Sequence, residues 1–257
     1  MATALITGAS SGIGLELAKI FAINKINLVL VARSENKLIE LSKELQQQDV
    51  KVHVLVKDLS NYNTAKEIFD WCNQQGIVID YLVNNAGVGD FGFFNESDWI
   101  KQEQMINLNI TALTYLTHLF LPGMVQRKNG KILNVASTAA FQPGPLMSIY
   151  FATKAFVLFF SEAIANELEG TGVTVTALCP GATESGFQAA ASMDGSRLFK
   201  GKKIPSSKEV AAYGYKAMMQ GKTVAIHGLK NYLLAQGARI SPRNLTVKVA
   251  RWIQDKS

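Results

Sequence analysis

A glycine-rich turn between an apolar segment and a helix-like segment constrains the fold of this chain more than any other feature. Residues 2–7 are short and continuously apolar, which is typical of a buried parallel strand. Residues 7–14 follow at once and read Thr-Gly-Ala-Ser-Ser-Gly-Ile-Gly, and the segment up to residue 24 then carries apolar residues at helical spacing. A strand, a glycine-rich turn and a helix in this order predict the first unit of a parallel α/β sheet.

Strand-like and helix-like segments continue to alternate along the chain. The predicted strands lie at 2–7, 26–32, 50–56, 79–84, 130–136 and 172–179; the predicted helices lie at 14–24, from a cap at Ser34 onward, at 61–75, within 97–125 and at 148–169. No linker rich in Pro or Gly divides them, and 257 residues are enough for one sizeable core. We therefore predict an α/β fold over 1–257, a single-domain, Rossmann-type, doubly wound parallel sheet with helices on both faces.

Composition excludes several other classes of protein. Charged residues make up 18% and hydrophobic residues 48% of the chain, which excludes intrinsic disorder. The excess of 26 Lys and Arg over 20 Asp and Glu is modest and argues against a dedicated nucleic-acid binder. Two cysteines and three scattered histidines give no disulfide framework and no metal site. Without a secretory leader pattern or a run of about 18 apolar residues, we expect a cytoplasmic protein.

The glycines of the first turn suit a dinucleotide. They permit a tight turn, close approach of the backbone to a pyrophosphate and close helix–strand packing, while free N–H groups at the helix start bind the anion. A tight turn without a ligand is the alternative. The predicted cofactor contacts in this turn are Gly8, Ser10, Ser11, Gly12, Ile13 and Gly14.

The end of the second strand indicates which dinucleotide is bound. The acidic residue that usually holds the ribose 2′-hydroxyl is absent, and the chain reads Val31-Ala32-Arg33-Ser34. A guanidinium suits a 2′-phosphate, with Ser10 and Ser34 as further donors, so we predict NADP(H) in preference to NAD(H). A solvated arginine in a helix-capping turn is the alternative.

Two later strand ends face the same predicted crevice. After the third strand, the carboxylate of Asp58, beside Leu59, can accept a hydrogen bond from an adenine amino group. After the fourth strand, Asn85, Ala86 and Gly87 leave room for a ribose, and side-chain amides can hold the turn. Because the carboxyl ends of parallel strands meet at one edge of a sheet, we predict that all five residues line the cofactor site.

A tyrosine and a lysine supply the predicted chemistry. Tyr150 and Lys154 lie four residues apart in a predicted helix, so their side chains share one face. A phenol has a pKa of roughly 10. A nearby ammonium, aided by a cationic nicotinamide, would lower it, so that the tyrosine exchanges a proton with a carbonyl or an alcohol. Ser137, at the end of the fifth strand, can hydrogen-bond the substrate oxygen. An exposed helical pair is the alternative for the tyrosine and lysine alone.

The chain resembles a classical short-chain dehydrogenase/reductase over residues 2–230, because the glycine-rich turn, the segment 84–87, Ser137, Tyr150 and Lys154 occur in that order. The resemblance implies that Tyr150 is the general acid/base and also contacts the cofactor, that Lys154 lowers its pKa and holds the nicotinamide ribose, and that Ser137 orients the carbonyl. It also implies that Asn109 supports a water-mediated proton relay. The residues implied to contact the nicotinamide amide are Pro180, Gly181, Thr183 and Ser185.

The resemblance extends to a subgroup and to an oligomeric state. Residues 136–145 and 179–184 resemble the DltE-like subgroup, whose relatives include 17β-hydroxysteroid dehydrogenases acting on bulky hydrophobic substrates. Family members dimerise through the helices predicted within 97–125 and at 148–169, which implies a homodimer or homotetramer. Aromatic side chains on more than one face of the second helix, Phe156 and Phe159 among them, agree with a covered surface.

Two segments depart from the strand–helix rhythm. Residues 181–207 are predicted to form a substrate lid loop, whose Phe187, Met193, Leu198 and Phe199 indicate an apolar pocket. Residues 229–257 are predicted to form a helical extension packed on the domain through one apolar face, which carries Leu245, Val249, Trp252 and Ile253. Packing on a partner is the alternative for that face, and membrane contact is not expected.

These features together predict an NADP(H)-dependent oxidoreductase that interconverts a ketone or aldehyde and an alcohol. The expected partner is a small-molecule carbonyl or alcohol substrate, with an apolar carbonyl compound favoured, and neither nucleic acid nor metal is expected. The alternative is a catalytically silent NADP-binding regulatory or scaffold protein. The complete set of Asn109, Ser137, Tyr150 and Lys154 favours the enzyme.

Overall fold

Seven parallel strands form one sheet in the order β3-β2-β1-β4-β5-β6-β7 in the computed structural model, which describes residues 1–187, 191 and 204–255. The strands are β1 (Thr3–Thr7), β2 (Asn27–Ala32), β3 (Val52–Val56), β4 (Tyr81–Asn84), β5 (Gly130–Val135), β6 (Val173–Cys179) and β7 (Val224–Ile226). The strand order reverses at β1, which pairs with both β2 and β4. Such a reversal opens a crevice at the carboxyl ends of the strands, as predicted for a doubly wound sheet.

Helices cover both faces of the sheet and bury separate apolar clusters. They are α1 (Gly12–Ile23), α2 (Glu35–Gln46), α3 (Thr64–Gln74), α4 (Trp99–Ile106), α5 (Leu113–Gln126), α6 (Ser148–Glu167), α7 (Ser207–Met219), α8 (Leu229–Ile240) and α9 (Arg243–Gln254). On one face α1, α2 and α7 bury residues such as Phe21 and Leu38, and on the other α3, α5 and α6 bury residues such as Ile68 and Leu116. Each fully buried side chain of this size contributes about 1.5–3 kcal/mol, so both faces hold the crevice rigidly in place.

The long helix predicted within 97–125 is divided by a π-helical turn. Residues Asn107–Ala112 form this turn between α4 and α5. A π-helical turn holds one extra residue and occurs often at functional sites. Here it carries Asn109, which the sequence had placed in an ordinary helix.

The apolar helices beside the crevice are core helices of this fold. The stretches Trp99–Gln126 and Ser148–Glu167 are long and apolar enough to cross a membrane by length and composition alone. In the structure, however, both bury side chains against the sheet. Their apolar character is explained by that packing.

Ser34 is the N-cap residue of α2, as predicted, but its side chain makes no capping hydrogen bond. The predicted docking of the last helix is wrong. In α9, the buried face carries Thr246, Ala250 and Gln254, whereas the predicted docking stripe is exposed at Leu245 and Val249. Small and polar residues permit a closer approach of this helix to the domain than the apolar stripe would.

Candidate active site

A cavity of about 570 Å³ follows the carboxyl ends of the strands. It is lined by every residue predicted for the site except Gly14 and Asn109, which support the lining from behind. Sequence reasoning missed several lining residues, among them Lys37 and Lys57 at one end and Gln142 and Met147 at the other. Of these only Lys37 carried a usable signal, because it lies four residues after Arg33 at the start of a helix.

The end of β4 holds the glycine-rich turn in place. The Asn85 side-chain amide donates to the carbonyl oxygens of Thr7 (2.9 Å) and Gly8 (3.2 Å). The Thr7 hydroxyl accepts from the backbone N–H groups of Asn85 and Ala86, at 3.0 Å each. Gly8 has a positive φ of 65°, and a Cβ there would lie 2.8 Å from the Asn85 amide nitrogen. The predicted pinning of the turn by side-chain amides is therefore present.

We expect Gly14→Ala to destabilise the fold by about 1–3 kcal/mol and to abolish tight NADPH binding, because overpacking displaces the turn. A Cβ at Gly14 would collide with the Gly8 carbonyl group and the Asn85 amide. Urea unfolding and calorimetric titration with NADPH measure the two effects. Gly92→Ala is the matched control, since a Cβ at Gly92 meets nothing within 4 Å. Unchanged NADPH affinity in Gly14→Ala would contradict this role of the turn.

The opposite side of the turn is basic. One guanidinium nitrogen of Arg33 lies 3.8 Å from a carboxylate oxygen of Asp58, and the Arg33 side chain is exposed. Lys37 and Lys57 line the same end of the cavity, and the Lys57 ammonium also pairs with Glu67 at 2.6 Å. The hydroxyl of Ser60 and its backbone N–H both donate to Asp58, which fixes this carboxylate at the end of β3. The three cations outnumber the two carboxylates of Asp58 and Glu67, which leaves this end positive.

Lys154 is buried beside Tyr150. Its ammonium donates to the carbonyl oxygen of Val135 at 2.8 Å and lies 5.8 Å from the centre of the Tyr150 ring. Burial lowers the pKa of Lys154 to about 8, because a charged ammonium loses hydration there. The two side chains share one face of α6, as the spacing predicted.

Among the protein's own groups, burial sets the direction of the Tyr150 pKa shift, whereas the sequence prediction also included the charge of a bound nicotinamide. Burial raises the pKa of Tyr150 to about 12, and a hydrogen bond from the Ser137 side chain only partly opposes this. The Lys154 ammonium donates to a backbone carbonyl. At neutral pH Tyr150 therefore carries its proton, which is the form that donates to a carbonyl.

Asn109 clamps the loop after β4. Its side-chain oxygen accepts from the N–H of Val88 at 3.0 Å, and its amide donates to the Val88 carbonyl at 2.9 Å and to the Thr153 hydroxyl at 3.0 Å. The Thr153 hydroxyl donates in turn to the Tyr150 carbonyl at 2.7 Å. The buried Asn109 side chain thus joins the π-helical turn, the loop after β4 and α6. Its role in a water-mediated relay stays a prediction.

The segment after β6 lies against Ser137. The Ser137 hydroxyl donates to the Pro180 carbonyl at 3.4 Å, and the N–H of Thr138 donates to the same oxygen at 2.8 Å. The Thr183 hydroxyl donates to the Gly181 carbonyl at 3.0 Å, which leaves the loop bent toward the cavity. The residues predicted to contact a nicotinamide therefore line the cavity next to the predicted catalytic group.

Apolar side chains close the catalytic end of the cavity. Met147, Phe151 and Ala191 are buried in one cluster, and the Phe187 ring centre lies 5.1 Å from that of Tyr150. The predicted lid residues Met193, Leu198 and Phe199 lie outside the described residues. The described part of the predicted lid thus contributes Phe187 to an apolar wall beside Tyr150.

The cavity fits a nicotinamide dinucleotide. Its turn has the close-approach glycines and backbone N–H groups that a pyrophosphate needs, and one end is positive. Ser137, Tyr150 and Lys154 come together at the other end. The positive end and the end that carries Tyr150 are opposite ends of the cavity. A dinucleotide requires this separation, because its phosphates and its one reactive ring lie at different places along the molecule.

Comparisons with known proteins agree with this geometry. The family model described as short chain dehydrogenase matches residues 2–195. A solved short-chain dehydrogenase from Sphingobium yanoikuyae, in complex with NADPH, is 34% identical with a TM-score of 0.83, and the match covers 93% of this chain and 94% of that one. The bulky-bulky ketone specific alcohol dehydrogenase from Comamonas testosteroni is 31% identical with a TM-score of 0.79, covering 93% and 92%.

A curated relative from Anas platyrhynchos is described as a very-long-chain 3-oxoacyl-CoA reductase. It is 36% identical over 186 residues, which are 70% of this chain and 59% of the relative. The chain spans about three fifths of the length of the first curated relatives that it matches. A nicotinamide dinucleotide cofactor is supported by the NADPH bound in the Sphingobium neighbour.

Proposed function

The chain belongs to the short-chain dehydrogenase family, and from that premise we propose that it is an NADP(H)-dependent oxidoreductase that interconverts a bulky, apolar ketone or aldehyde and its alcohol. One observation carries the proposal. Ser137, Tyr150 and Lys154 line one end of a cavity whose other end holds the glycine-rich turn and Arg33. A silent NADP-binding protein would not need a protonated, buried tyrosine beside a buried lysine.

The residues divide the reaction between them. NADPH bound in this cavity supplies the hydride that reduces the carbonyl carbon. Tyr150 donates its phenolic proton to the carbonyl oxygen, so that little negative charge accumulates there. The Ser137 hydroxyl is a second donor near that oxygen, and the Lys154 ammonium stabilises the phenolate that remains. In the oxidation direction, the Tyr150 phenolate accepts the hydroxyl proton of the alcohol and afterwards releases it.

The substrate we propose is a bulky apolar ketone. The wall formed by Met147, Phe151 and Phe187 offers contacts for an alkyl or fused-ring body and excludes water from the carbonyl. The relatives named for long-chain 3-oxoacyl and bulky-bulky ketone substrates support this class. The resemblance to the DltE-like and hydroxysteroid-dehydrogenase subgroup points the same way and stays part of the proposal.

Consumption of NADPH by the purified full chain tests the proposal. The panel runs from acetone through aryl ketones and steroid ketones to 3-oxoacyl thioesters of increasing chain length. We expect turnover to rise with apolar bulk and NADPH to be preferred over NADH. Tight NADPH binding by calorimetry without turnover of any member would favour the silent binder instead.

Cofactor preference should depend on Arg33. We expect Arg33→Ala to raise the Kd for NADPH by about 10–100-fold and to leave the Kd for NADH unchanged, because a charge-assisted bond to the 2′-phosphate is lost. Lys43→Ala, which changes an exposed lysine of α2 outside the cavity, is the control. Equal weakening of both cofactors would contradict the role of Arg33 in selecting the phosphate.

We also propose that two copies associate through the outer face of α6. Phe159 is 65% exposed on that helix, and Phe156 beside it is 41% exposed. We expect the wild-type chain to give a dimer or tetramer by light scattering and Phe159→Glu to give a 28.0 kDa monomer, because a buried, unpaired carboxylate opposes association. Ile23→Glu, at an equally exposed position of α1, should leave the mass unchanged. A monomeric wild-type chain would contradict this proposal.

A further inference from the structure

The last helix of the described chain is inverted relative to an ordinary surface helix. Its face toward the domain carries Thr246, Ala250 and Gln254. Its face toward solvent carries Leu245, Val249 and Trp252, which are 54%, 46% and 64% exposed. A surface helix normally turns its apolar stripe toward the core. We therefore expect this stripe to be covered by something other than water.

The preceding helix is built in the same way. Within α8 only Ala235 is buried, whereas Leu229, Leu233 and Ile240 are 74%, 61% and 87% exposed. These three positions fall on one side of the helix by their spacing. Two consecutive helices therefore present apolar stripes to solvent. Single apolar residues scattered over a surface are ordinary, but contiguous stripes mark an interaction site.

The same segment carries most of the chain's excess positive charge. Residues 229–257 contain six Lys or Arg and one Asp, so five of the six excess charges of the chain lie there. The described cations are Lys230, Arg239, Arg243, Lys248 and Arg251. Apolar residues, basic residues and an exposed Trp on short helices are the composition of segments that lie in a membrane interface.

The inverted helix also borders the cavity of the active site. Ala250, Ile253 and Gln254 line that cavity. The Arg251 guanidinium lies 5.0 Å from the centre of the Phe93 ring, and Phe93 belongs to the loop after β4. One face of α9 thus exposes an apolar stripe to solvent, and its opposite face borders the cavity of the active site.

We propose that the outward faces of α8 and α9 dock on the surface of an anionic phospholipid membrane. This surface is called the basic apolar face. It is defined by Leu229, Leu233, Ile240, Leu245, Val249 and Trp252 with the four exposed cations Lys230, Arg239, Arg243 and Lys248. Charge complementarity selects the occupant: anionic headgroups attract the cations, whereas a second copy of the same face would repel them. The exposed leucines distinguish lipid from nucleic acid, whose phosphates offer them no apolar contact.

Sedimentation with vesicles tests the docking surface on the purified full chain. Vesicles of phosphatidylcholine alone are compared with vesicles of phosphatidylcholine and phosphatidylglycerol. We expect binding to the anionic vesicles, weakened by added salt, and little binding to the neutral ones. Binding to neither kind of vesicle would overturn the proposal.

Two sets of variants separate the possible occupants. Leu233→Ser with Val249→Ser should abolish vesicle binding, and Lys230→Glu with Lys248→Glu should weaken it by at least about fivefold for each charge removed. Ile23→Ser and Lys51→Glu, exposed positions elsewhere, are the matched controls and should bind as the wild type does. Each variant keeps its melting temperature and NADPH affinity, which shows that the fold is intact.

The contrary outcomes are distinct. If Leu233→Ser with Val249→Ser lowers the mass found by light scattering and the wild type ignores vesicles, the face pairs with a second copy and the proposal fails. If the wild type binds duplex DNA better than anionic vesicles, and the serine variant binds it unchanged, the partner is a nucleic acid. Neither outcome depends on turnover, so the docking surface and the proposed reductase activity fail independently.

Discussion

Tyr150→Phe is expected to lower kcat for ketone reduction by about 10²–10⁴-fold, the range over which a positioned general acid acts. The substitution removes only the phenolic oxygen and keeps the ring that packs against Phe187 and Phe151. Since the pKa of Tyr150 is raised to about 12 by burial, this oxygen carries the proton at neutral pH. The Kd for NADPH should be unchanged, because the ring still fills its place.

The control for this experiment is another partly buried tyrosine. Tyr213 on α7 does not line the cavity, and burial raises its pKa as well. Tyr213→Phe should keep full activity. If Tyr150→Phe retains more than about a tenth of wild-type kcat, a different group supplies the proton and the assignment of the general acid is wrong.

The same pKa predicts different pH dependences for the two directions of the reaction. Reduction needs the protonated phenol, which is present throughout the neutral range because the raised pKa of about 12 keeps the proton bound. Oxidation of the alcohol needs the phenolate, whose fraction rises with pH. We therefore expect alcohol oxidation to accelerate with pH in the wild type. Initial rates in both directions across a pH series test this, and an oxidation rate independent of pH would contradict it.

The parallel arrangement of the strands and the position of the crevice were predictable from the sequence. Continuous apolar segments mark the parallel strands, and the glycine-rich turn after β1 marks where the strand order reverses. Nearly all of the predicted cofactor residues line one cavity for the same reason. Strand ends meet at one edge of a parallel sheet whatever the details of the helices.

Orientation and electrostatics were not predictable in the same way. Periodicity identified the apolar stripe of α9, but the choice of Thr246, Ala250 and Gln254 as the inward face depends on close packing with the domain. The π-helical turn at Asn109 depends on the bonds to Val88 and Thr153, which are distant in sequence. The pKa of Tyr150 follows from burial, and the spacing to Lys154 carries no information about burial.

Lys154→Met is expected to lower kcat/KM for the ketone by about 10²–10³-fold, comparable to the loss of one preorganised charge-stabilising donor. Methionine keeps much of the apolar stem of lysine but removes the ammonium that faces the Val135 carbonyl and the Tyr150 ring. The Kd for NADPH should rise as well, since we propose that the same ammonium holds the nicotinamide ribose. Lys43→Met, on the exposed surface of α2, is the control and should match the wild type.

Stability against pH separates this charge effect from simple misfolding. The pKa of Lys154 is about 8 in the fold, whereas an unperturbed lysine has a pKa of 10.5. Between these values the unfolded chain binds the proton and the native chain does not, so this group makes the free energy of unfolding increase with pH. Below the lower value the buried ammonium opposes folding by its full amount. In urea unfolding at about pH 7 and about pH 10, the free energy of unfolding of the wild type minus that of Lys154→Met should therefore be more negative at the lower pH, where the buried ammonium opposes folding of the wild type alone. A difference between the two proteins that is the same at both pH values would mean that Lys154 does not titrate in this range, and that its burial does not act on its charge.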